Sequence, residues 1–502
     1  MNLYFGLWLI VAATEASLYA ITDRFITRSK WFRLTTGMVL VAAIIVADVL
    51  MATRLWPVWF GALILTPYRL INLTRFMRFR LHPAKLGSLT LQAHRWLTGT
   101  QLVFVLLLQW LKSIGFDWAF GLLASVQLLI ALVLLRASIR TWQHARPQML
   151  EKHFTDKELP SLSVLIPARD ETDALQTCLH SILTNDYPKM EVLVLDDCSV
   201  SKRTPEIIRS FAQEGVRFIA GKTPPHDWVA KNYGYEQLRA EASGELLLFC
   251  GADTTMEPQT IRALVETLLI REKAMLSVLP TRPAHSPSMA LLQSMRYYWE
   301  LCLPRRFFKR PPVLSTCWLI KRATLESFGG FGGVAQSVSP EAHFARQAVV
   351  SDSYTFVRSD GTLQVHTHKS LDEQFDTTVR LRYPQLHRRI ELVAAATLFE
   401  GIFFVLPFFG LAASMFMPHR LAYLAVWGLT IAVVETMYYL IAVQTRLHHA
   451  WYAFIAAPVA FLLDIVMLHI SMARYEFGTV NWKGRNVCVP VMRVESNLPK
   501  NG

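Results

Sequence analysis

The stretch Leu162-Ser163-Val164-Leu165-Ile166-Pro167-Ala168-Arg169-Asp170-Glu171 decides the fold. A short apolar run ends in a turn that carries charge, and the pattern recurs downstream. β-rich runs at Leu162–Pro167, Glu191–Leu195, Val216–Ala220, Glu245–Cys250 and Ala274–Leu279 alternate with helix-like stretches near 171–184, 204–213, 229–242 and 257–270. This alternation predicts βαβ units and a mainly parallel, Rossmann-like sheet. In such sheets ligands bind beyond the carboxyl ends of the strands. The residues there are Pro167 to Glu171 after the first strand, Asp196-Asp197-Cys198-Ser199 after the second, and Gly251-Ala252-Asp253 after the fourth. A single acid after a strand commonly caps a helix. Three acidic clusters along one sheet edge predict a binding site.

Outside this region the composition changes character. Of 502 residues 52% are hydrophobic and 18% charged, with mean hydropathy +0.29, where soluble domains carry about a quarter charged residues. That excludes disordered, collagen-like and disulfide-framework classes. Six cysteines with no CxxC spacing read as reduced, buried thiols. Apolar segments near 3–22, 35–52, 55–72, 96–113 and 118–136 each approach the ~20 residues of a bilayer crossing. The loops after the first, third and fifth are rich in arginine and lysine. The positive-inside rule then places the N-terminus outside and the chain beyond about 140 in the cytoplasm. The net charge of +13 belongs to those loops and to anionic lipid, and no nucleic-acid motif accompanies it. Three further apolar stretches, 391–416, 420–443 and 450–470, would leave the tail outside. The tail's Arg474, Lys483, Arg485, Arg493 and Lys500 argue for inside. A 391–416 segment that is interrupted by Glu400 and Pro407 and lies in the interface would reconcile the two. Glu15, Asp48, Glu400, Glu435 and Asp464 fall within apolar segments, facing a bundle interior or serving function.

The polar region resembles the family 2 glycosyltransferases of GT-A fold. Ser163 to Glu171 is similar to that family's first strand and turn, and Val192 to Ser199 to its nucleotide-binding DDxS strand end. Trp228-Val229-Ala230-Lys231 resembles the W-x-G-K element, and Asn481-Trp482-Lys483-Gly484-Arg485 the WKGR tail, of the membrane-bound branch that glycosylates lipids. That branch includes carotenoid-, hopanoid- and ceramide-type enzymes. The resemblance implies a donor site of Pro167, Arg169, Glu171, Asp197, Lys231, Ala252, Asp253 and Arg388. Asp197 would accept from a nucleobase N–H and Lys231 would meet a diphosphate. Asp253 matches the last acid of a DxD motif, which implies a Mg²⁺ or Mn²⁺ ion, although Gly251 stands where the first Asp is expected. The acceptor base falls on Glu341 in Ser339-Pro340-Glu341, with His343 as a second candidate; the same residues also read as an N-cap, a first-turn proline and a first-turn acid. Gln385-Leu386-His387-Arg388-Arg389 is similar to a Q-x-x-R-W motif, with Arg389 in place of Trp, and also reads as a basic cluster for lipid headgroups. Gln385, Arg389, Trp482, Lys483 and Arg485 complete the acceptor or diphosphate side.

These readings give a layout: five transmembrane helices over 1–140, a cytoplasmic GT-A domain with interfacial helices over 141–390, two or three transmembrane helices over 391–472, and a basic tail over 473–502. The implied function is an inverting glycosyltransferase of the plasma (inner) membrane. It would move a sugar from a nucleotide sugar, with UDP favoured, to a lipid-borne hydroxyl. The acceptor would enter near 285–315, where Tyr297, Tyr298 and Trp299 precede Arg305, Arg306, Phe307, Phe308, Lys309 and Arg310. A processive polysaccharide synthase is a competing reading. So is a non-catalytic relative, because Gly251, Ala230, Glu341 and Arg389 all depart from the family's residues.

Overall fold

The computed structural model describes residues 3–54, 63–78, 83–147, 154–283, 291–302 and 311–488. The chain forms two compact units, one of residues 1–128 with 388–428 and one of residues 129–387 with 429–502.

The second unit holds the sheet. Strands β1 (Leu162–Ala168), β2 (Met190–Asp196), β3 (Val216–Ala220), β4 (Leu246–Cys250), β5 (Thr254–Met256), β6 (Met275–Leu279), β7 (Cys317–Lys321), β8 (Tyr354–Arg358) and β9 (Val365–Thr367) follow in chain order. Seven of them form one sheet in the order β3-β2-β1-β4-β7-β6-β8. The first four in that order are parallel, with Leu162 opposite Met190 and Leu246. β7 alone runs antiparallel to its neighbours β4 and β6, and β8 is parallel to β6. β2 and β3 lie to one side of β1 and β4 to the other. Their carboxyl ends therefore open a crevice beside β1, where α/β sheets place ligands.

Period-two alternation of side chains explains why these strands are apolar throughout, since both faces are covered. Val164, Ile166, Val192 and Val194 face a layer with Leu179, Leu264 and Leu268. Leu165, Leu193, Leu195 and Phe249 face the other layer with Tyr235, Trp318, Phe331 and Phe344. The Phe249 and Trp318 rings stack there at 4.2 Å. In the same unit the helix Leu371–Gln385 is tied to the apolar helix Trp451–Phe477. Arg382 pairs with Asp464, Tyr383 Oη donates to Glu476 at 2.9 Å, and Tyr475 Oη donates to the Arg380 carbonyl at 2.8 Å. A short hairpin, β10 (Asn481–Trp482) with β11 (Arg485–Asn486), follows that helix. Tyr297 and Tyr298, on the helix Gln293–Cys302, are buried, and Tyr298 lies against Phe461 and Tyr438. Arg305 to Arg310 lie outside the described residues.

Among the described residues six helices are long and apolar enough to cross a membrane: Leu3–Ala20, Lys30–Thr53, Phe116–His144, Ile390–Ser414, Arg420–Gln444 and Trp451–Phe477. The expected segment 96–113 lies within Pro83–Ser113, which is not one of the six. The expected segment 55–72 falls partly outside the described residues, and its end begins the short helix Thr66–Arg78. The break anticipated in 391–416 is a π-helical turn, Gly401–Val405, just before Pro407.

Within the helical unit, two of the carboxylates in apolar segments have partners. Arg69 is fully buried and bonds Glu15 at 2.9 Å, and it lies 3.6 Å from Asp48. Tyr19 donates to Glu15, and Trp8 and Thr66 donate to Asp48. Burying charge is tolerated when it is paired and hydrogen-bonded, and removing one partner strands the others. Arg69→Met should therefore cost about 3–5 kcal/mol, read as a lower unfolding temperature of the detergent-purified protein. Adding Glu15→Gln should recover part of the loss.

Candidate functional site

The site is built where β1, β2 and β4 end. The turn after β1 takes positive φ at Asp170, and the turn after β2 does so at Cys198. Asp170 holds the second turn, its Oδ1 accepting from the amides of Val200 and Ser201. Buried Arg169 spans the crevice and donates through Nη1 to the carbonyls of Asp197 and Cys198, at 2.7 and 2.6 Å. Gly221 is required nearby: a Cβ there would sit 2.5 Å from the Asp196 carbonyl oxygen.

The C-terminal hairpin comes back to these strand ends. Its loop residues, Lys483 and Gly484, both take positive φ, as a two-residue hairpin turn demands. Arg485 Nη1 contacts Asp197 Oδ2 at 2.5 Å and Nη2 donates to the Asp197 carbonyl at 3.1 Å. Lys483 Nζ pairs with Glu171 and donates to the Arg169 carbonyl at 2.7 Å, while Arg169 Nε returns a bond to the Lys483 carbonyl at 3.0 Å. The Trp482 ring lies under the Arg380 guanidinium. The structure thus joins five residues expected on separate grounds: Arg169, Glu171, Asp197 and the WKGR basic pair, Lys483 and Arg485. Burial lifts the carboxyls of Asp197 and Glu171 above the usual range, with Arg485 and Lys483 respectively pulling against it.

Asp253 follows β4. Short β5 pairs with β9, Thr254 opposite Thr367, and this register carries Lys369 to Asp253. Lys369 Nζ lies 3.3 Å from Asp253 Oδ2. Burial opposes ionisation of Asp253, but Lys369 and Arg282 outweigh it and hold the carboxyl below its ordinary range. Lys369 and Arg282 were not legible as site residues in the sequence. Both arrive by strand pairings distant along the chain, and neither belongs to a motif.

At the β4 end the chain offers a divalent cation Asp253 but no carboxylate at position 251. Among the described residues no three His, Cys, Asp or Glu side chains converge on one point. Position 251 lacks a carboxylate, and a Cβ there would meet Asp253 Oδ1 at 2.6 Å. The carboxylate that remains is already paired with an ammonium.

The remaining expected residues are distributed as follows. Lys231 lies in the first turn of the helix Ala230–Glu241, its ammonium 5.2 Å from the Tyr235 ring centroid. Pro167 lies near the end of β1, and Ala252 is buried between Gly251 and Asp253. Glu341 is buried in the first turn of the helix Pro340–Val350, behind Ser339 and Pro340. Burial, then the charge of Glu341 and more weakly those of Cys250 and Asp253, push the Tyr235 phenol far above its usual range. His343 on the same helix contacts Gln347. Burial, then Arg346, lower its pKa to about 4, so it is neutral at pH 7. The Q-x-x-R-like stretch is divided. Gln385 ends a helix of the sheet-bearing unit, whereas Arg388 and Arg389 belong to the helical unit. There the Arg388 carbonyl accepts from Arg75 at 2.9 Å and Arg389 pairs with Glu391 at 2.6 Å.

Comparison with known proteins gives a consistent picture. The model of Glycosyl transferase family 2 matches residues 163–329. The chain is 27% identical over 226 residues to the probable glycosyltransferase YdaM of Bacillus subtilis, covering 43% of this chain and 53% of that protein. It is 33% identical over 114 residues to the glycosyltransferase AglE of Haloferax volcanii, covering 22% of this chain and 36% of that protein. The chain thus spans about half or less of the length of these relatives. Among solved structures it is similar to the mannosyltransferase PcManGT of Pyrobaculum calidifontis in complex with GDP-Man and Mn²⁺. The TM-score there is 0.39 and the identity 15%, over 68% of this chain and 99% of that one.

His343 supplies a pH test. Its ordinary pKa is about 6.5, so below that value the unfolded chain takes up a proton that the folded chain refuses. Stability from this group is complete above pH 6.5 and is lost as pH falls toward 4. His343→Gln should lose less unfolding temperature than the parent between pH 7 and 4.5; parallel profiles would remove the assignment.

Proposed function

We propose that this chain, whose α/β region is a family 2 glycosyltransferase domain, is a membrane-embedded inverting enzyme. It moves a sugar from a nucleotide sugar to a lipid-borne hydroxyl. The observation that carries this reading is the gathering of Asp197, Glu171 and Asp253 with Arg169, Lys369, Lys483 and Arg485 at the ends of three adjacent parallel strands. Four cations gathered at these strand ends suit a diphosphate. A carboxylate at its far end, Asp197, suits a nucleobase N–H.

In this reading Glu341 takes the proton of the acceptor hydroxyl as that oxygen attacks the anomeric carbon from the face opposite the departing diphosphate. One further methylene compared with Asp extends its reach. Lys231 lies one turn from Tyr235 and is the further cation for the phosphates.

The apolar helices favour a lipid acceptor. The tail touches the same strand ends as the domain, so the two share one side of the membrane. The chain between Gln385 and Gly478 then crosses an even number of times, although three apolar helices occupy it. The π-helical turn at Gly401–Val405 and Pro407 interrupt Ile390–Ser414, which supports reading this helix, although long enough to span, as the one that stops short of a crossing. With the basic loops, this supports a cytoplasmic domain.

Membranes containing the enzyme, supplied with labelled UDP- and GDP-sugars, should transfer label to an organic-extractable product. Glu341→Gln should lower that transfer by about 10²–10⁴-fold while nucleotide binding stays within about twofold. Retained transfer in the variant would move the base elsewhere. Absence of nucleotide binding in the parent protein would favour the non-catalytic reading.

A further inference from the structure

We propose that the ammonium of Lys369, backed by the guanidinium of Arg282, carries the counter-charge of the donor diphosphate, so that this site uses its nucleotide sugar without a divalent metal. The inference rests on the glycosyltransferase reading and specifies its electrostatics.

Three observations converge on it. Gly251 leaves one carboxylate where a metal-binding pair would need two, and Asp253 Oδ1 fills the space a side chain at 251 would take, 2.6 Å from the Cβ position. Lys369 lies 3.3 Å from Asp253 Oδ2, in a short connection held at both ends: β9 stops at Thr367, and Ser370 caps the next helix with a capping box. Arg282 is buried at the same end, follows Thr281 of the bridge to His366, and lies over the Tyr297 ring, with its charge acting on Asp253. At the β4 end two cations, Lys369 and Arg282, act on one carboxylate, Asp253, which favours an anion there over a divalent ion.

The chemistry balances without a metal. The bond from the anomeric carbon to the diphosphate oxygen breaks and its electron pair leaves with the diphosphate, whose added charge meets Lys369. The acceptor oxygen forms the new bond to carbon, and its proton passes to Glu341. Asp253, in place of ligating an ion, aims the Lys369 ammonium. This makes Asp253 a positioning residue and Lys369 the group that touches the donor.

The test is binding of UDP and GDP to full-length, detergent-purified protein in EDTA and in Mn²⁺, measured by calorimetry, together with transfer under both conditions. The account predicts affinities for one nucleotide that agree within about twofold with and without metal. It predicts that Lys369→Met weakens that binding by about tenfold or more, as loss of a charge-assisted contact does, and that Lys369→Arg largely retains it. A Lys369→Met, Asp253→Asn double variant removes the stranded carboxylate; it should bind as weakly as Lys369→Met, whereas recovered binding would reduce Lys369 to a counter-ion of Asp253 and overturn the proposal. Binding only in Mn²⁺ would overturn it too, and leave the glycosyltransferase reading intact. No binding of either nucleotide in either condition would overturn both.

Discussion

Carboxylates crowded at the ends of neighbouring parallel strands cannot remain ionised in a partly buried crevice unless cations are brought to them. Asp197, Glu171 and Asp253 set that requirement, and much of the second unit answers it. Arg169 comes from the turn itself, Lys369 from the β5–β9 pairing, and Lys483 and Arg485 from the last described residues of the chain. The ordering of the C-terminal hairpin is thereby linked to the strand ends. Removing one partner leaves an uncompensated charge, which costs more than the pair gained by forming.

The same requirement connects the sheet to the apolar helices. The hairpin reaches Asp197 only because the helix Trp451–Phe477 is held along Leu371–Gln385 by Arg382, Tyr383 and Tyr475. Lys369 immediately precedes that second helix. One packed helix pair thus aims cations at both ends of the crevice, Arg485 and Lys483 toward β1 and β2, and Lys369 toward β4. In the helical unit the solution is the same in kind: Arg69 compensates Glu15 and Asp48 among apolar side chains.

Much of this was legible in the sequence, for physical reasons. β1, β2, β3, β4 and β6 were readable because strands covered on both faces are short apolar runs bounded by turns, and their ends agree with expectation within a residue or so. The acidic strand ends were readable because parallel topology fixes which end binds. β7 was not, since Cys317–Lys321 lies outside the strand–helix alternation and its antiparallel place between β4 and β6 is a tertiary fact. The tail was legible as basic, but its contact with Asp197 is a tertiary fact. Lys369 and Arg282 carried no local signal at all, because strand pairing and an isolated bridge far along the chain deliver them. The boundary between the two compact units, which no local pattern announces, runs through the Q-x-x-R-like stretch just before Arg388.

The central claim is that a nucleoside diphosphate occupies the crevice between the β1 and β4 ends, with its base at Asp197 and its phosphates at Lys369. A cryo-electron microscopy structure of the full chain with bound UDP tests it most directly. The account predicts density running from Asp197 to Lys369 along Arg169 and Glu171, with the Arg485 contact to Asp197 retained or exchanged for the base. Nucleotide density away from these strand ends would contradict it.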